Sequence, residues 1–270
     1  MVVIGLIRST FLNSEYQLSM KEEIFVISLG EIEVSFKPIF KETGNIYKNY
    51  IISETSDQEP SRDIINITDD DCCYYSKLGI ERTAENEANL FTALASDHLL
   101  NYNRCILHGA AIRFHGKAWI LLGPSGVGKS TQAKNLRKIW TRNTPVEDEE
   151  FSIICGDRPV LALTHDGHMM VHPSCWNGKE GWYGAPASLL EGIICLERGA
   201  ENIVVKYKPK NVVVPVLQSM IYSGKSVDLI KKAAEFENNL LKSCELWGLT
   251  AASIPDSSEL LYNTIFSYRS

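Results

Sequence analysis

Eight consecutive residues, Gly123-Pro124-Ser125-Gly126-Val127-Gly128-Lys129-Ser130, fit the pattern G-x-x-x-x-G-K-[ST] at every position. Glycines so spaced let successive backbone N–H groups converge on the oxygens of a phosphate chain, where a Cβ would obstruct the turn. Lys129 is then the cation that reaches the β- and γ-phosphates, and Ser130 offers a hydroxyl to Mg2+. The flanks agree with this chemistry. Ala118 to Leu122 is an apolar run of strand length, and Thr131 to Lys138 has helical composition, so the loop opens onto the positive end of a helix dipole. The expected contacts to ATP and Mg2+ are therefore Gly123, Ser125, Gly126, Val127, Gly128, Lys129, Ser130 and Thr131.

A metal held by a neutral hydroxyl also needs a carboxylate, supplied from the end of a neighbouring strand. Asp157 is placed for that role, because Phe151 to Cys155 reads as a buried strand and the chain turns at Gly156. Asp148, Glu149 and Glu150 rank lower, since a run of acids ahead of a strand is usually a solvated face. His108 ends a short apolar run and reads either as a packed, hydrogen-bonded histidine or as a group beside the phosphates. Arg158 reads equally as a neutraliser of phosphate charge and as one half of an ordinary ion pair. Trp176 and Lys179 lie in a loop between two expected strands, and loop chemistry of this kind favours a place at the site over a core plug. His165, His168, His172 and Cys175 have spacings that suit zinc, but Asp166-Gly167 is a hairpin signal that accounts for the segment without a metal. Asp69-Asp70-Asp71-Cys72-Cys73 reads as a solvated connection, because adjacent cysteines rarely both reach one ion.

The elements that must hold these residues divide the 270-residue chain into three. Residues 1–82 alternate apolar and polar side chains in short stretches, which predicts a β-rich N-terminal domain. Residues 83–103 carry apolar positions at helical spacing and form a connecting helix. From 104 to 270, short apolar runs alternate with glycine turns and helical stretches, the texture of an α/β core with buried strands. Ser226 to Cys244 reads as an amphipathic helix, and the capping-box spacing of Asp256 and Glu259 predicts that a last helix begins there. Composition bounds the partners: 44% hydrophobic and 22% charged residues exclude a disordered or collagen-like chain. A net charge of −6, from 27 Lys+Arg against 33 Asp+Glu, argues against nucleic acid and requires that any bound anion be captured locally. No apolar run is long enough to span a bilayer, and the opening MVVIGLIRS is too short for a signal-peptide core, so no membrane is expected and the location is read as cytoplasmic. Seven scattered cysteines without a CxxC pair read as reduced thiols. Association into a homo-oligomer is left open.

With these residues assembled, residues 104 to 265 resemble the HPr kinase and phosphoenolpyruvate-carboxykinase-like P-loop proteins, in particular their small kinase-like members. Five blocks in order carry the resemblance: Leu107-His108-Gly109-Ala110-Ala111, the loop Gly123 to Thr131, Ile154-Cys155-Gly156-Asp157-Arg158-Pro159, Ser174 to Glu180, and Ala185-Pro186 leading into Ile193 to Gly199. It implies an α/β fold with a P-loop nucleotide-binding core of the HPr kinase type beside the β-rich N-terminal region. The activity implied is transfer of the γ-phosphoryl group of ATP to a hydroxyl of a small molecule or peptide. A nucleotide-binding regulatory or scaffold protein without catalysis, and an HPr-type protein serine kinase, are the alternatives. The family carries two adjacent aspartates after the strand, whereas this chain has Gly156 at the first position. Either Asp157 serves both metal and acceptor, or Glu180 or His108 acts as the base.

Overall fold

The computed structural model describes residues 24–47, 50–55, 64–66, 81, 83–143, 151–178, 181–182 and 184–267. Its first hairpin joins β1 (Ile24–Leu29) to β2 (Ile32–Lys37) through Gly30 and Glu31, both at positive φ, the two-residue turn whose twist suits antiparallel strands. After α1 (Lys41–Tyr47), β3 (Ile51–Thr55) pairs with β1 and β4 (Ile64–Asn66) with β2, giving a four-stranded sheet in the order β3-β1-β2-β4. The helix predicted to join the two halves is α2 (Ala84–Leu100), capped by the Thr83 hydroxyl, which accepts from the Asn86 amide.

A large mixed sheet follows. Its strands are β5 (Arg104–Leu107), β6 (Gly109–Phe114), β7 (Lys117–Leu122), β8 (Phe151–Cys155), β9 (Val160–Leu163), β10 (Met169–His172), β11 (Ser188–Arg198), β12 (Ile203–Lys206), β13 (Met220–Ile221) and β14 (Glu245–Ala251). The strand order is β13-β5-β9-β10-β11-β7-β6-β8, with β14 between β11 and β12. β7, β11 and β14 run parallel, and the remaining pairs of this sheet are antiparallel. The fold is thus mixed α/β.

Both faces of the sheet are covered, which is why its central strands are apolar without alternation. On β7, Ala118, Ile120 and Leu122 enter one core with α4 (Pro209–Ser219) and α5 (Val227–Ser243). Trp119 and Leu121 enter the other, with α3 (Lys129–Asn143) and α6 (Ile254–Leu261). The amphipathic stretch read from Ser226 is α5, and the Ser226 hydroxyl caps it by accepting from the Leu229 amide. The last helix starts earlier than the capping-box spacing predicts. Ser253 precedes it and Pro255 sits in its first turn, while Ser257 and Ser258 are buried and bonded to Gln132 of α3. No helix among the described residues is long and apolar enough to cross a membrane.

The four-stranded sheet is fastened to the large one at two places. The tip of its hairpin lies on β5 and β9, where the Gly30 carbonyl accepts from Arg104 Nε at 2.5 Å. Behind it a third core joins Val34, Phe36 and Tyr47 to Phe91 of α2, Val160 of β9 and Trp176. Trp176 is buried in this cluster, edge-on to Tyr47, and its Nε1 donates to the Tyr47 hydroxyl at 3.2 Å. The sequence reading that put Trp176 at the site is therefore corrected: the indole plugs the junction between the sheets, because an aromatic pocket from α1 and α2 reaches over its loop.

Glu87 of α2 is buried and accepts from the Ile39 and Phe40 amides at 2.6 and 3.1 Å and from the Thr43 hydroxyl. Replacing it with alanine strands these donors, at about 2–4 kcal/mol. Amide hydrogen exchange of Glu87→Ala is expected to show faster exchange across residues 24–47 and unchanged protection in β7, and equal protection of both segments would refute this account of the fastening.

Candidate functional site

The glycine loop sits where the topology leaves an opening. β7 and β11 run parallel with Leu122 opposite Cys195, and the chain leaves β7 at Gly123 to cross into α3 at Lys129. Ligands of open α/β sheets collect outside the carboxyl ends of parallel strands. Gly123, Gly126 and Gly128 all adopt positive φ. At Gly123 the backbone also passes so close to β11 that a Cβ would lie 2.6 Å from the Leu196 carbonyl oxygen, so this position admits no side chain.

Several contacts hold the loop in shape. Arg198 Nη2 donates to the Gly126 carbonyl at 2.8 Å, and the Val127 amide donates to the Pro124 carbonyl at 3.2 Å. The Val127 side chain is buried in the core beneath, so of the predicted contacts this one shapes the loop with both its side chain and its amide. Behind the loop, Gln132 donates to Ser257 and accepts from Ser258, fixing α3 to α6. Ser125 and Gly126 are exposed at the tip, Ser130 is half-buried in the first turn of α3, and Thr131 is exposed beside it.

Lys129 is buried, and its Nζ folds back to donate to the carbonyls of Gly123 at 2.8 Å and Pro124 at 3.3 Å. Burial lowers the pKa of this ammonium, opposed by the carboxylate of Asp157. Asp157 follows β8 as its sequence position suggested, and its backbone carbonyl accepts from the Gly109 amide at 2.7 Å. One carboxylate oxygen lies 3.8 Å from His108 Nε2 and the other 3.3 Å from Arg158 Nε. His108 is half-buried. Its pKa is lowered, first by that burial and then by the Lys129 ammonium, with Asp157 opposing and Arg158 adding to the fall, so the imidazole is neutral near pH 7. The structure thus brings together Lys129, Asp157 and His108, three of the four expected catalytic residues. The fourth, Glu180, lies outside the described residues, as do Lys179, Asp148 to Glu150 and the Asp69 to Cys73 run.

Arg158 was legible as an arginine near the site but not in its bonding. Its guanidinium donates to Asn89 Oδ1 at 3.0 Å and to Thr92 Oγ1 at 3.1 Å, both on α2. It is therefore tied to α2 and to Asp157, and a helix buried between the two sheets orients the carboxylate beside the loop. The histidines read as metal-like are dispersed. His165 and His168 are exposed at the β9–β10 turn, which closes on Gly167 at positive φ, whereas His172 and Cys175 are buried. No group of three His, Cys, Asp or Glu able to hold a metal occurs among the described residues.

A cleft of about 660 Å3 opens from Gly123, Pro124 and Ser125 past His108 to the end of β11 and to α4. Glu197 and Tyr207 stand in its wall, and no spacing in the sequence marks them. Their place follows from the pairing of β11 with β7 and from the return of α4 across the strand ends. Gly156 has a physical explanation here as well. It is buried against the Asn177 backbone, and a Cβ at this position would collide with the Asn177 carbonyl. A side chain at this position, an aspartate included, is excluded by that approach.

No family model matches the chain, and none of the curated proteins matches it. Among solved structures it is similar to the HPr(Ser) kinase/phosphatase from Coxiella burnetii, at 9% identity over 61% of this chain and 99% of that one, with a TM-score of 0.33. That is a distant likeness, and the chemistry of the cleft stands on its own side chains.

Gly156→Asp is expected to destabilise the protein by about 2 kcal/mol or more, because the 177 backbone must move to admit the side chain. A melting temperature equal to that of the wild type would show that the 156 position has room for the second carboxylate.

Proposed function

We propose that the protein binds Mg2+–ATP at the Gly123 to Thr131 loop and transfers its γ-phosphoryl group to a hydroxyl acceptor. The observation that carries this reading is Lys129, a buried ammonium folded onto the carbonyls of its own loop within the field of Asp157. The residues suit the nucleotide. The close backbone approach at Gly123 leaves the cradle free of side chains, and Lys129 can exchange two neutral carbonyls for charged phosphate oxygens. They suit the metal too, since Ser130 and Asp157 offer oxygen atoms, the donors that a hard divalent cation takes. When bound, the metal would be held by Ser130 and Asp157 and would neutralise phosphate charge.

In this reading Lys129 binds the phosphates and Asp157, held between His108 and Arg158, takes the acceptor's proton. The bond from the acceptor oxygen to phosphorus forms as the bond to the bridging oxygen breaks, and ADP leaves with that electron pair. Neutral His108, in contact with Asp157, can hold the released proton. A loose transition state asks little of a base, so a single carboxylate suffices. This reading takes the core to be of the P-loop type that the resemblance implies and counts α2, through Asn89 and Thr92, as functionally part of it.

A second reading has one observation in its favour. Gly156 leaves this site with one aspartate where the family has two, which suits a nucleotide-binding regulatory protein without turnover. The two readings separate in a direct experiment. Lys129→Ala is expected to remove detectable Mg2+–ATP binding by calorimetry while the fold persists. With labelled ATP and a hydroxyl acceptor, Asp157→Asn is expected to lower turnover about a hundredfold. Unchanged affinity in the lysine variant refutes the nucleotide site. Wild-type binding without turnover on any acceptor favours the regulatory reading, and loss of turnover in Glu180→Gln with Asp157→Asn unaffected transfers the base to Glu180.

A further inference from the structure

The cleft beside the glycine loop is larger than a phosphate chain needs, at about 660 Å3. Its orientation can be read from Lys129. The ammonium lies on the carbonyls of Gly123 and Pro124, and these two residues also line the cleft. The lysine of such a loop reaches the β- and γ-phosphates, so the terminal phosphate of a bound nucleotide faces this space. The cleft is then the acceptor's side of the reaction.

Its chemistry is uneven. Apolar surface comes from Leu196 and Pro215, and polar groups from Glu197, Tyr207, Asn211 and Gln218. Among the described residues lining it there is no lysine or arginine. Glu197 is exposed at the end of β11, where one carboxylate oxygen accepts from the Thr250 hydroxyl at 2.7 Å. The Tyr207 ring packs over Gly248, which has no side chain to displace it. Burial, followed by the charge of Glu197, raises the Tyr207 pKa, so its hydroxyl keeps its proton and can donate. Two cations touch the loop itself, Lys129 on the Gly123 and Pro124 carbonyls and Arg198 on the Gly126 carbonyl; neither lines the cleft, and the triphosphate takes the lysine.

We infer that the acceptor seated in this cleft is a neutral or cationic hydroxyl compound with an apolar frame, and that compounds bearing a carboxylate or phosphate there are rejected. An anion would lie between the γ-phosphate and Glu197 with no lining cation to offset either, and like charges so placed are costly. A cation would pair with Glu197, and a neutral frame would meet the apolar wall and the amides of α4. The inference rests on the reading of the loop as a nucleotide site.

The test uses the full chain saturated with Mg2+ and the non-hydrolysable analogue AMP-PNP. Three probes share one frame and differ in charge: para-xylylene glycol, para-(hydroxymethyl)benzylamine and para-(hydroxymethyl)benzoate. Calorimetry is expected to show binding of the glycol and the amine, with the benzoate weaker by about tenfold or more. Glu197→Gln is expected to remove the amine's advantage over the glycol and to narrow the deficit of the benzoate. Equal affinity for the three probes, tightest binding of the benzoate, or binding of none of them overturns the inference. If AMP-PNP itself fails to bind, which is seen before any probe is added, the nucleotide reading beneath it falls.

Discussion

A buried ammonium needs oxygen atoms around it, and the region around Lys129 is arranged by that need. Two loop carbonyls meet the charge directly, and the carboxylate of Asp157 opposes the cost of burial. For the carbonyls to converge, the chain must turn back on itself between β7 and α3, and this forces the positive φ values and the close approach to β11. For Asp157 to stay in range, its own turn must be pinned, by the Gly109 amide on one side and by Arg158 on the other. Phosphate oxygens are better partners for an ammonium than peptide carbonyls, so the arrangement that holds Lys129 suits the anion proposed for the loop.

The reach of this constraint extends past the large sheet. Arg158 is aligned by Asn89 and Thr92 of α2, and α2 in turn is fastened by Glu87 to the chain that follows β2. Phe91 and Tyr47 complete the contact by packing around Trp176, whose backbone carbonyl accepts from the Arg158 amide at 3.1 Å. The carboxylate after β8 is thus oriented through a helix and an aromatic cluster that lie between the two sheets.

What the sequence discloses follows the range of the forces involved. The loop is legible because its chemistry is local: eight adjacent residues specify the turn, the cation and the helix start. The strand before it and the helix after it are legible for the same reason, as is the Asp166-Gly167 turn. Trp176 misleads, because its partners Tyr47 and Phe91 come from distant parts of the chain and no local pattern announces an aromatic pocket. The start of α6 misleads because Asp256 and Glu259 have capping-box spacing although the helix already begins at Ile254, and Ser257 and Ser258 between them serve Gln132, an interaction across more than a hundred residues of sequence. Glu197 and Tyr207 gain meaning only when β11 is laid beside β7. Gly156 shows the limit from the other side. The glycine is visible in the sequence, but its cause is a backbone contact with Asn177.

The parallel pairing of β7 with β11, and of β11 with β14, has a consequence for how the chain acquires its shape. Leu122 finds Cys195, and Cys195 lies opposite Gly248, across long intervening segments. Loop closure over such separations is slow, so hairpins such as β6–β7 and β9–β10 can form well before the central ladder does. Gly123 cannot take up its place against Leu196 until β11 has arrived. The loop therefore belongs to the late stages of folding, and a ligand bound to it would find nothing to hold before that assembly is over. Its stabilising effect falls on the rate at which the finished molecule comes apart and leaves the rate of its formation unaltered.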